Sequence, residues 1–87
     1  MFGDGDFIEL ATFLVSLDRT DEAKRIAIEG LNAYPAITIE SWTGDPGWSK
    51  GERQTTITLM RKAGFPACAT SDQVAKGGIK VRLPECL

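Results

Sequence analysis

The 87-residue sequence contains no histidine. That absence excludes a Ser-His or Cys-His nucleophilic pair within the chain. It excludes every histidine-containing zinc site, and the two cysteines, Cys68 and Cys86, are too few for an all-cysteine structural one. It also removes the commonest general base near neutral pH. Carboxylates, lysines and metal-bound water are left as catalytic groups. Long apolar runs are missing too: the most apolar stretch, Leu10 to Leu17, is far shorter than the ~20 residues of a membrane helix. The N-terminal MFGDGDF is acidic where a secretory signal is basic, so a cytoplasmic location is the expectation. Reduced thiols are then the default for Cys68 and Cys86. Both lie in the C-terminal tail and pair only if it folds back, closing a loop worth roughly 3 kcal/mol. An excess of basic charge is also lacking. The net charge is −2 and the lysines and arginines are scattered, so neither nucleic acid nor an anionic membrane is an expected partner.

What is present is an ordinary globular composition, 43% hydrophobic and 25% charged. The length allows one domain, residues 1–87. Folding at this size removes only about 60–65% of the unfolded surface, so limited stability or help from a partner chain is expected. The pattern is mainly α. Asp6 is placed to N-cap a first helix from about Phe7 to Leu17, with Glu9 at capping-box spacing. Phe7, Leu10, Ala11 and Leu14 recur at i, i+3, i+4, i+7, one helical face. Phe13 and Leu17 add a second apolar stripe beside it, and a helix apolar on two sides requires neighbours on both.

A polar turn, Asp18-Arg19-Thr20, leads to a second helix with Thr20 as its expected N-cap and Asp21 and Glu22 in its first turn. Ala23, Ile26, Ala27, Gly30, Leu31 and Tyr34 mark its buried stripe, and Pro35 ends it. The short turn predicts an antiparallel helical hairpin over residues 1–35. Residues 36–66 read as a loop and a third helix. Ile37-Thr38-Ile39 is β-branched and extended in character, and Gly44-Asp45-Pro46-Gly47 is a turn flanked by Trp42 and Trp48. Ser49 with Glu52 is a capping-box pair, and Gly64 with Pro66 is a stop signal. In the tail, residues 67–87, Ser71 is placed to cap a short helical turn. Ile79, Val81 and Leu83 alternate with Lys80 and Arg82 as a short strand-like segment with no partner strand in the chain.

Few residues point to chemistry. Asp4-Gly5-Asp6 fails as a calcium loop because Ile8 stands where a third oxygen ligand belongs. N-terminal capping explains those acids better. Asp45 and Glu52 are the only acids set near a conceivable pocket, and nothing in the sequence near Cys68 activates its thiol. No catalytic, cofactor-binding or metal-binding residue is assigned. Trp42 and Trp48 more often close a small core over a loop than stack on a ligand. With Tyr34 and Phe65 they are the candidate recognition surface, since aromatic residues dominate binding hot spots.

Ala23, Ala27, Gly30 and Pro35 fall at offsets 0, 4, 7 and 12, behind a first helix carrying Phe7, Leu10, Ala11 and Leu14. This spacing resembles a tetratricopeptide repeat, a helix-turn-helix unit of about 34 residues. Ala27 replaces the usual phenylalanine, Gly30 the usual alanine, and Asp18 the glycine that closes the first helix. The string LVSLDRTDEAKRIAIEGLNAYPAITIESW, the ending LMRKAGFP and the closing Cys68-Ala69-Thr70 and Arg82-Leu83-Pro84-Glu85-Cys86 resemble the C-terminal region of bacterial adenylate/guanylate cyclase-like proteins that carry tetratricopeptide arrays. In that family the cyclase chemistry belongs to a separate upstream domain, whose metal-binding aspartates have no counterparts here. The resemblance therefore implies a non-catalytic interaction or scaffolding module, the terminal repeat of an array, with a protein partner or self-association. About three repeats are normally needed for stability. If the chain is a whole protein, its tail or a second copy has to replace the missing neighbours. The alternative is a small-ligand or effector-binding protein using the Trp42–Trp48 loop.

Overall fold

The computed structural model describes residues 2–87. It is mainly α-helical, as the apolar periodicity predicted. Five helices follow one another: α1 (Asp4–Ser16), α2 (Thr20–Ala33), α3 (Ile39–Thr43), α4 (Lys50–Ala63) and α5 (Ser71–Ala75), before a closing 3₁₀ turn over Pro84–Cys86. The Cα radius of gyration is 12.3 Å, matching the ~12 Å of one packed domain of this length.

Helices α1 and α2 form the antiparallel hairpin. Helix α1 begins three residues before the expected start. Gly3 is its extended N-cap, and Asp6 lies in the first turn, accepting a hydrogen bond from the Gly3 N–H at 2.8 Å. Asp6 therefore fulfils the acidic half of the capping arrangement rather than the N-cap role. Thr20 is likewise the first residue of α2 and not its cap, because Arg19 occupies that place. The turn between them is a Schellman motif. The Arg19 N–H reaches the Leu14 carbonyl at 2.9 Å, the Asp18 N–H reaches Val15 at 3.0 Å, and Asp18 adopts φ 60°. The left-handed position is thus held by aspartate where glycine is usual. Ala23, Ala27 and Gly30 are all buried against α1. A Cβ on Gly30 would stand 2.8 Å from the Phe7 Cβ, so the small stripe is what lets the helices approach.

Helix α4 crosses both α1 and α2. Its cap residues are those read from the sequence, although the capping box is only half made: the Ser49 hydroxyl accepts from the Glu52 N–H at 3.2 Å and donates to the Glu52 carboxylate at 2.9 Å, and Gly64 has φ 93°. Phe65 follows as the apolar residue that closes the motif, its N–H bonded to the Met60 carbonyl at 3.2 Å. Ile57, Met60 and Ala63 enter the core beside Ile8, Ala11 and Val15.

The remaining segments depart from expectation. Thr38 is not simply extended: it N-caps α3, its hydroxyl accepting from the Ser41 N–H at 3.0 Å. The free Ile39 and Glu40 N–H groups at the start of α3 donate to the Pro66 and Ala67 carbonyls at 2.8 and 3.1 Å. Five residues make a helix there because the chain beyond α4 satisfies its open end. Thr70, one residue before the expected Ser71, caps α5. Residues 79–83 form no strand. The Lys80 and Val81 N–H groups both bond to the Gly44 carbonyl, at 2.9 and 3.1 Å, so the segment converges on one point and has no ladder. Gly44 permits this contact, since a Cβ there would sit 2.6 Å from Ile79 Cγ2. Cys68 and Cys86 are joined in a disulfide with Cα atoms 5.4 Å apart. The default of reduced thiols is corrected: the tail does fold back, bringing the two ends to bridging distance.

Candidate functional site

Helix α1 divides its apolar residues between two faces. Ile8, Ala11 and Val15 lie in the core. Leu14 is buried with them and Leu10 is half-buried against the core, whereas Phe13 and Leu17, the second stripe, turn away from Ile8. Phe13 is 59% exposed and Leu17 49%. Beside them runs a groove of about 450 Å³ between α1 and α2, floored by Leu10, Leu14 and Ile26 and rimmed by Glu22, Arg25 and Glu29. Phe13 and Leu17 are thus exposed apolar side chains at helical spacing beside an apolar groove with a charged rim. The second stripe was legible in the sequence, but its residues were not counted among the recognition candidates.

The four aromatic residues named for that role do not form one surface. Phe65 is 5% exposed and belongs to the core, so it has nothing to present. Trp42 is half-buried against the first turn of α1, close enough that a Cβ on Gly5 would stand 3.0 Å from its ring. Trp48 donates its indole N–H to the Trp42 carbonyl at 3.2 Å, closing the loop over itself. Tyr34 stands against the ring of Phe7 and donates its hydroxyl to the Phe2 carbonyl at 2.8 Å. Tyr34 and Trp42 share a hollow of about 380 Å³ with Asp4, Ile8 and Gln73. Trp48 lies in a different, shallower one with Asp45, Ser49 and Glu52. There Asp45 Oδ1 accepts from the Gly47 N–H at 2.7 Å and Glu52 Oε1 from the Ser49 hydroxyl at 2.9 Å. Both carboxylates are occupied in holding the local turn.

A different acid organises the tail, and sequence reasoning missed it. Glu40, on α3, is 0% exposed. Its Oε1 accepts from the Ala69 N–H at 2.9 Å. Its Oε2 accepts from Arg82 Nε at 2.7 Å and from the Leu83 N–H at 2.9 Å. Arg82 also donates to the Cys86 carbonyl at 3.1 Å. One carboxylate thus gathers three points of the tail. Burial alone pushes the Glu40 carboxyl upward, but hydrogen bonds from Arg82, Leu83 and Ala69 outweigh it and hold the group below the usual carboxylate range. The only sequence signal was an acid set inside the apolar stretch Ile37 to Trp42. One Glu40 oxygen also lies within 4.8 Å of the sulfur atoms of the Cys68–Cys86 disulfide.

No helix among the described residues is long and apolar enough to cross a membrane. No family model matches the chain, and neither a curated protein nor a solved structure matches it.

Proposed function

We propose that this chain is a non-catalytic helical interaction module of tetratricopeptide type that ends a stack of helical hairpins. One side of its hairpin is closed by α4 and the tail. The other, the outer face of α1, receives a helix from a neighbouring hairpin of the same kind, supplied by a larger assembly or by a second copy. The observation that carries this reading is the exposed pair Phe13 and Leu17 beside the groove floored by Leu10, Leu14 and Ile26. Three features support the repeat type: the small stripe of α2, the left-handed residue at Asp18, and α4 lying across both helices as the first helix of a next repeat would. The resemblance to the terminal region of cyclase-like proteins belongs to the same proposal. So does a cytoplasmic location.

Repeat units stabilise one another through nearest-neighbour interfaces. Fusing two consensus tetratricopeptide repeats directly upstream of Phe2 tests the reading. The fusion is expected to unfold in a single thermal transition above that of the 87-residue chain. Two separate transitions, each at the temperature of its isolated part, would overturn it.

The small-ligand alternative has one observation in its favour, the hollow between Tyr34 and Trp42, whose volume of about 380 Å³ is adequate for a small metabolite. Its polar side chains Tyr34 and Gln73 are already bonded within the chain. Tryptophan fluorescence across a metabolite panel tests it, and an unchanged spectrum throughout would remove it.

A further inference from the structure

We propose that, once Cys68 and Cys86 are reduced, these two residues and Glu40 form a binding site for a thiophilic divalent cation of the zinc type, which replaces the disulfide as the staple of the tail. The proposal is independent of the docking face on α1. One oxygen of Glu40 and the two sulfur atoms lie within 4.8 Å of one another. Ligand atoms around a tetrahedral zinc ion stand about 3.5–4 Å apart, so the two sulfur atoms, bonded to each other here, must move apart to that spacing once the sulfur–sulfur bond is gone. Glu40 is fully buried and its carboxylate is already oriented by the Ala69 and Leu83 N–H groups. Arg82 donates to Oε2, a bond of the kind by which an outer-shell partner fixes a ligating carboxylate. Cys68 is exposed, which opens the site to reductant and leaves water for the fourth position.

Charge decides between metal classes and explains the role of Arg82. In the disulfide form the Glu40 carboxylate and the Arg82 guanidinium cancel. With two thiolates added, a divalent ion restores the balance to zero, as a partly buried cluster requires. Thiolates select zinc-like ions over calcium or magnesium. In the first step a dithiol reductant supplies two electrons and two protons. The Cys68–Cys86 bond breaks, each sulfur takes a proton, and the reductant becomes its own disulfide. In the second step the cation binds both sulfurs and the carboxylate, and the two thiol protons pass to water. The expectation of no metal site counted two cysteines without histidine and did not count Glu40.

The test uses the full chain, reduced with a dithiol, freed of it under nitrogen, and titrated with cobalt(II) and then zinc. One cobalt per chain is expected, with an intense near-ultraviolet thiolate-to-cobalt band that zinc abolishes. Cys68→Ser should lose most of that band, and Glu40→Gln should bind zinc at least about tenfold more weakly. X-ray absorption of the zinc-loaded natural chain keeps the test decisive if Glu40→Gln does not fold. It should count two sulfurs near 2.3 Å and two oxygens near 2.0 Å. A folded, reduced chain without the saturable band, four sulfurs around zinc, or a folded Glu40→Gln that binds as tightly as the natural chain would each overturn the proposal.

Discussion

Helices α1 and α4 have 13 and 14 residues and press on the same core, yet their outer faces differ: that of α4 carries no large exposed apolar residue, whereas that of α1 carries Phe13 among Glu9 and Ser16. The exposed positions of α4 include Lys50, Gln54, Thr58, Arg61 and Lys62. Those of α1 include Phe13, with Leu17 just beyond its end. A polar outer face ends a helical stack, because water is an adequate neighbour for it. An apolar one leaves the stack open. The molecule is therefore two-sided. On the closed side, Glu40, Arg82 and the disulfide draw the tail over α3 and α4. On the open side Phe13 and Leu17 stay exposed among the described residues.

The closed side should break first and hardest. Glu40→Ala strands Arg82 and two backbone N–H groups, and loss of a partner from a buried ion pair costs about 3–5 kcal/mol. At ~0.1 kcal/mol per residue, total stability is about 9 kcal/mol, so that variant should stay folded in water but lose about a third to a half of its stability in chemical denaturation. Met60→Ala, a cavity at the contact of α4 with the core, should cost about 2–5 kcal/mol in chemical denaturation. The disulfide links residues 18 apart, so its reduction without metal should cost about 3 kcal/mol. Acid acts through Glu40. Its folded-state pKa is lowered, so the unfolded chain binds the proton more tightly. The stability it contributes is present above the ordinary glutamate value, about 4.3, and is lost as pH falls through the lower folded value. A denaturation series from pH 6 down to 2 should show that fall, and Glu40→Gln should flatten it.

The hairpin turn offers a smaller effect of opposite sign. Asp18→Gly relieves a left-handed aspartate and should raise stability by up to about 1 kcal/mol. The open side should respond least. Phe13→Asp and Leu17→Asp remove side chains already in water, and each should leave the isolated chain within about 0.5 kcal/mol of its original stability. A loss of several kcal/mol on replacing Phe13 would erase the contrast between the two faces.

The sequence made the hairpin and α4 legible because their signals are local. Ser49 with Glu52 and Gly64 before Pro66 specify the ends of α4 without reference to anything distant, and Ala23, Ala27 and Gly30 mark a close approach by size alone. Asp18 was also recognisable as standing in a glycine position, and it adopts the backbone that position demands. The tail was not legible. Glu40 is bonded to residues 29, 42 and 43 positions away, and no periodicity encodes such a contact. The same distance hid the disulfide. Ile79 to Leu83 looked strand-like because alternation describes which side chains turn inward, whereas a strand also needs a partner, and here the backbone bonds to one carbonyl. Phe65 misled for a related reason: ring type marks a hot spot only where the ring is exposed, and Phe65 is buried at the end of α4.

The outer face of α1 is the centre of the proposed function, and the most direct measurement is the thermal unfolding of the upstream repeat fusion carrying Phe13→Asp and Leu17→Asp together. If that face receives the neighbouring hairpin, the single transition of the unsubstituted fusion should split in two, with the 87-residue part melting where it does alone. A transition that stays single and unshifted in the double variant would contradict the assignment of this face.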